Sequence, residues 1–411
     1  MNVTRGWRTQ ALALARRVLI GLVIVAGLFA FAWTGRLGPG GSGSSAPRVA
    51  LFVNGTLGDK SFFDAAARGL RQAGDELGLR VRVIEGGRDP TRWEPALADL
   101  ADSGDFDLIV TGTFAMVALV QRTAERYPQA RFIVFDARVD PTACRCANVH
   151  SMVFRPREAA QLAGALAVRV VAREKAAASA PGASTSSAPI LGAVGGLPIP
   201  VVDDFIDGFI HGAKDADPRV RVLRQYANSF GDPATAKDIA RAMFAQGAGL
   251  VFQVAGGSGQ GVIEAAAENG RWAIGVDADQ HLLYREAYPQ RAARILSSVM
   301  KHVDVALLQA LRRWRAGQLS FGGAESLGLA EGGVSLATSG PGWAALPPAD
   351  TAALRAMACR FQAFDTAPNI RNAPFICAPL DAVPVERRPQ PVAPAAAPDQ
   401  PAVPAPGGPA R

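Results

Sequence analysis

Asp136 and Asp277 each close an apolar, strand-like run, RFIVFD at 131–136 and WAIGVD at 272–277. A carboxylate at the carboxyl end of such a strand can accept hydrogen bonds from the hydroxyl or amino groups of a ligand. Lys301 follows a further run, ILSSV at 295–299. Together a carboxylate and an ammonium can grip a vicinal diol through charge-assisted hydrogen bonds. The competing role for Asp277 and Lys301 is a structural ion pair or a helix cap. Phe62 lies in DKSFF and Phe230 in NSFGDP, both polar turns before helix-like segments. Two phenyl rings from opposite halves of the chain can sandwich a flat heterocycle, worth ~1–3 kcal/mol per stacked base. Their competing role is cap packing of the hydrophobic-staple kind.

Bond-breaking chemistry has no matching set of residues. No serine stands in a nucleophile elbow, and no histidine falls in a readable pattern with a cysteine or serine. The stretch Gly257-Ser258-Gly259-Gln260-Gly261 partly resembles a phosphate-cradling loop, but a lone glycine run is weak. Its glycines also suit close backbone approach to a ligand or a facing lobe. The four histidines, His150, His211, His281 and His302, make no metal-ligand spacing with the cysteines. The net charge of +7 comes without a basic run, which argues against a nucleic-acid surface. Asp59 reads as an N-cap, and Glu158 as a helix N-terminal charge. No cofactor is expected.

These residues need a scaffold of alternating strands and helices. Strand-like runs are VALFV after Pro47, Leu79–Glu85, Phe106–Thr111 and Arg131–Asp136, with helical segments at Phe62–Gly78 and Pro95–Ser103 and before Tyr127. The pattern restarts with a helix at Arg157–Val171. Strands follow at 189–195, 220–226, 250–254, 272–276 and 295–299, separated by helical segments, and a helix spans 302–316. Strand-helix alternation implies parallel pairing with right-handed crossovers. The expected fold is α/β, with two doubly wound parallel-sheet lobes around a central ligand cleft. Lobe I is placed at 47–152 with 279–299 crossing back, and lobe II at 153–278 with 300–345. Residues 174–189 read as a flexible insertion, 346–382 as an unassigned C-terminal segment, and 383–411, rich in Pro and Ala, as a disordered tail.

At the other end, Arg5, Arg8, Arg16 and Arg17 precede an uncharged apolar run from Val18 to Trp33. Residues 1–46 thus read as an export signal cleaved near Ala32 or, alternatively, a retained N-terminal anchor. Either places the body outside the cytoplasm. In an oxidising compartment four cysteines suggest disulfides, with Cys144–Cys146 and Cys359–Cys377 favoured among three connectivities.

Several segments resemble the BMP (basic membrane protein), or PnrA-like, family: NGTLGDKSFFDAAARGL, FRPREAAQLAGALA, GAVGGLPIPVVDDFIDGFIHGA, NSFGDPATAKDIARAMFAQGAGLVFQVAGGSGQGVIEAA, IGVDADQ and ILSSVMKHVD. The resemblance runs in order from about 48 to 340. It implies a type I periplasmic-binding fold and an extracytoplasmic receptor that hands nucleosides, often purine nucleosides, to an ABC permease; a monomer without enzymatic activity is expected. It implies that Phe62 and Phe230 stack on the base and that Asp136 contacts it. Asp277 and Lys301 would hold the ribose hydroxyls, Gly256 and Gly257 line the pocket, and Asn54 falls near a polar contact of the first loop. Two departures stand out. Phe63 replaces an asparagine usual in the family, which bears on purine preference, and the lipoprotein cysteine is absent. A membrane-anchored sensor with the same fold is the alternative.

Overall fold

The computed structural model describes residues 46–178 and 188–364. Twelve strands form two six-stranded sheets among these residues. In the first sheet β1 (Arg48–Val53), β2 (Arg80–Glu85), β3 (Leu108–Gly112), β4 (Phe132–Phe135) and β5 (Val149–Phe154) run parallel, with order 5-4-3-1-2. The second sheet repeats the plan with β6 (Ile190–Gly195), β7 (Arg221–Tyr226), β8 (Leu250–Val254), β9 (Trp272–Asp277) and β10 (Ile295–Lys301), in order 10-9-8-6-7. Most of these strands, β1, β3, β4 and β8 above all, are buried along their length. They are short apolar runs because helices cover both faces of a parallel sheet.

Helices follow the same logic. Phe62–Leu77 buries Ala65, Ala66, Gly69, Leu70 and Ala73, a three- and four-residue repeat turned toward the sheet and the helix Val303–Arg315. Its first turn is held by Asp59, whose carboxylate accepts from the backbone N–H groups of Ser61, Phe63 and Asp64. It stops at Gly78 in a left-handed conformation.

The two halves exchange segments at three places. After β5 the helix Pro156–Ala178 packs on Pro200–Ala216 in the second half. After β10 the helix Val303–Arg315 returns to pack on Phe62–Leu77, with an Arg68–Asp304 ion pair of 3.0 Å. Then β11 (Gly323–Leu327) adds to β5, and β12 (Val334–Leu336) crosses to pair antiparallel with β10. Charged groups tie these passages together. Arg155 bonds Glu158 and Glu331, while Glu158 and Glu331 accept from the backbone N–H groups of Leu329 and Gly328.

The expected assignment of 279–299 to the first lobe is corrected. After two short helical turns β10 continues the ladder of β9, pairing Met300 with Asp277, so it belongs to the second sheet. The segments of 300–345 that return to the first half are Val303–Arg315 and β11. Three strands, β5, β11 and β12, went unread in the sequence. VHSMVF interrupts its apolar run with His150, which is buried and bonded to Ser320 O and Glu325. GAESL is a polar edge strand, and VSL has three residues.

Residues 174–178 complete the helix Pro156–Ala178, longer than the expected Val171 end, while 179–187 lie outside the described residues. The apolar N-terminal run and the Pro/Ala-rich tail also lie outside them. The helix Pro348–Phe364 occupies the first part of the unassigned C-terminal segment. It packs on Pro156–Ala178, where Asp350 pairs with Arg173.

Candidate functional site

A cavity of about 570 Å³ opens between the carboxyl ends of the two sheets. Both halves line it. Asn54, Phe62, Thr113 and Asp136 come from the first, and Phe205, Phe230, Gly256 and Lys301 from the second. Parallel strands end here because their helices begin here, which leaves loops, free backbone groups and helix starts facing one space.

The floor is charged and buried. Lys301 Nζ donates to Asp136 Oδ1 at 2.8 Å, with side chains 3% and 9% exposed. This bond joins the end of β10 to the end of β4, across the two halves. The ammonium also lies 5.1 Å from the ring centroids of both Phe62 and Phe205, so aromatic faces supplement its carboxylate. Asp277, at the end of β9, accepts a short hydrogen bond of 2.5 Å from the buried Ser61 hydroxyl. This is a second bond across the halves. Burial pushes both carboxyls up from the ordinary aspartate range, and the Lys301 charge draws them partly back. Lys60 makes a third link, its ammonium 5.0 Å over the ring of Tyr284 and 5.2 Å over that of Tyr288.

Backbone strain clusters at this space. Among the described residues the non-glycine positions with positive φ are Lys60, Thr113, Asp136, Asn228 and Asp277. Thr113 and Asp136 line the cavity, Asp277 binds Ser61 beside it, and Lys60 and Asn228 sit in loops that border it. Left-handed backbone is costly for such residues and persists where the surroundings impose it, most often at binding sites.

The walls are aromatic. Phe62 packs at 5.3 Å against both Phe63 and Phe135. Phe230 is 40% exposed and leans over a glycine floor. A Cβ on Gly196 would meet its ring at 2.3 Å, and Gly256 holds φ +54 beside it. The turn Gly256–Ser258 fixes the Phe230 loop through Ser258 N to Phe230 O at 3.0 Å and Ser258 Oγ to Ser229 O at 2.8 Å.

Of the residues singled out in the sequence, Asn54, Phe62, Asp136, Phe230, Gly256, Gly257 and Lys301 line the cavity. Asp277 does not border it directly, and it reaches the site through Ser61 and the field of Lys301. The lysine is bonded to Asp136 rather than to Asp277, because β4 and β10 end opposite each other across the cleft. Asn54 Nδ2 donates to Thr113 Oγ1 at 2.9 Å, and its buried Oδ1 has no partner. Sequence reasoning missed Arg88, Trp93, Thr113 and Phe205. Thr113 was accessible as the residue that follows a buried strand, whereas Arg88 sits in a polar turn that looks like any surface loop. Cys144 and Cys146 form a disulfide in the loop between β4 and β5. Cys377, the expected partner of Cys359, lies outside the described residues. Among the described residues no cluster of His, Cys, Asp and Glu could hold a metal ion.

Residues 46–342 match the model of a family described as PnrA-like ABC transporter substrate-binding proteins. Basic membrane protein D of Borreliella burgdorferi is 29% identical over 296 residues, covering 71% of this chain and 79% of that protein. The ABC transporter nucleoside-binding protein BmpA of Lactococcus lactis is 29% identical over 297 residues, covering 68% and 78%. Among solved structures, ABC transporter solute-binding proteins from Aeropyrum pernix superpose with a TM-score of 0.62 at 31% identity, covering 71% of this chain and 76% of theirs.

Proposed function

Because the chain belongs to the PnrA-like family of ABC transporter substrate-binding proteins, solute receptors rather than enzymes, we propose that its cleft binds a nucleoside. The observation that carries this reading is the pairing of two unlike surfaces in one cavity. Phe62 and Phe230 enter from opposite halves, and a buried Asp136–Lys301 pair lies at the floor. A base is a flat apolar plate with a polar edge, and a ribose is a cluster of hydroxyls. Aromatic walls suit the first, and charged hydrogen-bonding groups suit the second. The cavity volume falls in the ~300–1,000 Å³ range of small-molecule sites. A relative at 29% identity carries the description nucleoside-binding.

In this reading the base stacks between Phe62 and Phe230. Asp136, Lys301 and Asp277 engage ribose hydroxyls or a polar base edge, and Gly256 and Gly257 let the backbone approach. The receptor works outside the cytoplasm as a monomer and passes its solute to an ABC permease in the membrane. Among the described residues no helix is long and apolar enough to cross a membrane.

Titration calorimetry of the full chain against nucleosides, free bases and pentoses tests this. Binding of nucleosides with far weaker binding of both fragments is the expected result. Tight binding of a sugar alone, with no gain from the base, would sink it.

A further inference from the structure

Arg88 projects from the first half toward the Phe230 loop of the second. A Cβ on Gly231 would stand 3.0 Å from Nη2 of Arg88, so the guanidinium lies against this glycine. The guanidinium lines the ligand cavity and makes no ion pair or hydrogen bond among the described residues. The acids that directly follow Arg88 and Gly231 are engaged elsewhere. Asp89 binds the N–H and hydroxyl of Thr91, and Asp232 binds those of Thr235. The loop that carries Arg88 is held in place. Gly86 N donates to Val53 O at 2.7 Å, Gly87 N to Gly55 O at 3.0 Å, and Trp93 Nε1 to Gly87 O at 3.0 Å.

Building on the nucleoside reading above, we propose that Arg88 makes the site selective for 6-oxopurine nucleosides over adenosine. A ring stacked against Phe230 presents its edge beside Gly231, where the guanidinium stands. A guanidinium offers two parallel N–H donors and fits two adjacent acceptors. The O6 and N7 atoms of guanine and hypoxanthine are such a pair, whereas adenine sets a donor beside its N7 acceptor. Asn54 supplies the complement. Its buried Oδ1 lacks a donor, and it precedes Gly55, which bonds the loop that carries Arg88. A 6-oxopurine carries an N1–H next to O6, and adenine has an acceptor at N1. One side of the base thus meets a fork of donors next to a lone acceptor.

Calorimetry with inosine, guanosine, adenosine and inosine 5′-monophosphate, on the full chain and on Arg88→Ala and Arg88→Lys, tests the proposal. The natural protein is expected to prefer inosine and guanosine over adenosine by on the order of 10-fold or more. Both variants should lose most of that preference, the lysine because it keeps charge without the fork, and both should melt as the natural protein does. Equal natural affinity for inosine and adenosine overturns the proposal. So does a uniform loss across all nucleosides in Arg88→Ala. Tighter binding of the monophosphate than of inosine, abolished in Arg88→Ala, would assign Arg88 to phosphate instead. Absence of binding by every nucleoside would overturn the underlying reading as well.

Discussion

The two halves share one plan yet build unlike walls. Each ends a central strand in an aspartate with left-handed backbone, Asp136 after β4 and Asp277 on β9. Each offers a phenylalanine to the cleft. In the first half Phe62 opens a helix and wedges between Phe63 and Phe135. In the second half Phe230 stands on a loop over Gly196 and Gly256, with 40% of its surface exposed. One wall packs against the core, and the other is a plate exposed on a glycine-floored loop. A rigid wall can position a ligand, and an exposed one gains its burial only when a ligand arrives. Ligand-dependent closure is therefore expected to register in the second half.

The sharpest way to break this contrast is at the floor, which both halves share. Lys301→Met leaves Asp136 buried without its cation, a change that costs about 3–5 kcal/mol in comparable sites. A large fall in melting temperature is expected, and an unchanged one would show that the pair does not hold the halves together. The walls come next. Phe62→Ala should cost about 3 kcal/mol of stability in addition to affinity. Phe230→Ala should weaken nucleoside binding by ~1–3 kcal/mol and move stability by no more than ~0.5 kcal/mol. Equal stability losses in the two variants, read by denaturant unfolding, would erase the distinction. Gly256→Ala forces a side chain into left-handed backbone, for about 1–2 kcal/mol, and should reduce affinity through the Phe230 loop. A separate effect, read through pH, concerns Asp59. Burial pushes its carboxyl up to about 6, above the pull of the three N–H groups it accepts from. An acid raised on folding adds stability that is complete below its unfolded value near 3.8 and is lost as pH rises through about 6. Melting temperature should therefore decline between pH 4.5 and 7, and Asp59→Asn should flatten that slope.

Much of the scaffold was legible because buried parallel strands must be apolar. VALFV, LIVT, FIVF and LVFQV announce themselves, and Pro233 and Gly78 mark helix ends. Strands that share their burial with polar partners were not legible. His150 looks out of place until Ser320 and Glu325 are beside it. The candidate site divides the same way. Phe62, Phe230, Asp136 and Lys301 sit at ends of readable elements, so their placement followed from element boundaries. That Lys301 would choose Asp136, 165 residues away, over Asp277 on the neighbouring strand depends on how two sheets face each other. No local pattern encodes that.

Lys301 is also the last residue of β10 before the chain passes to the first half at Val303. It therefore sits close to an axle about which the halves would turn. Points near an axle travel little, and points on the rim travel far. A solute that satisfies only the floor would hold on firmly with almost no leverage, while one that also reaches Phe230 and Arg88 pulls on the long arm. A membrane partner that recognises the closed outline would then rank solutes by reach and not by grip. Uptake rate and dissociation constant need not follow the same order.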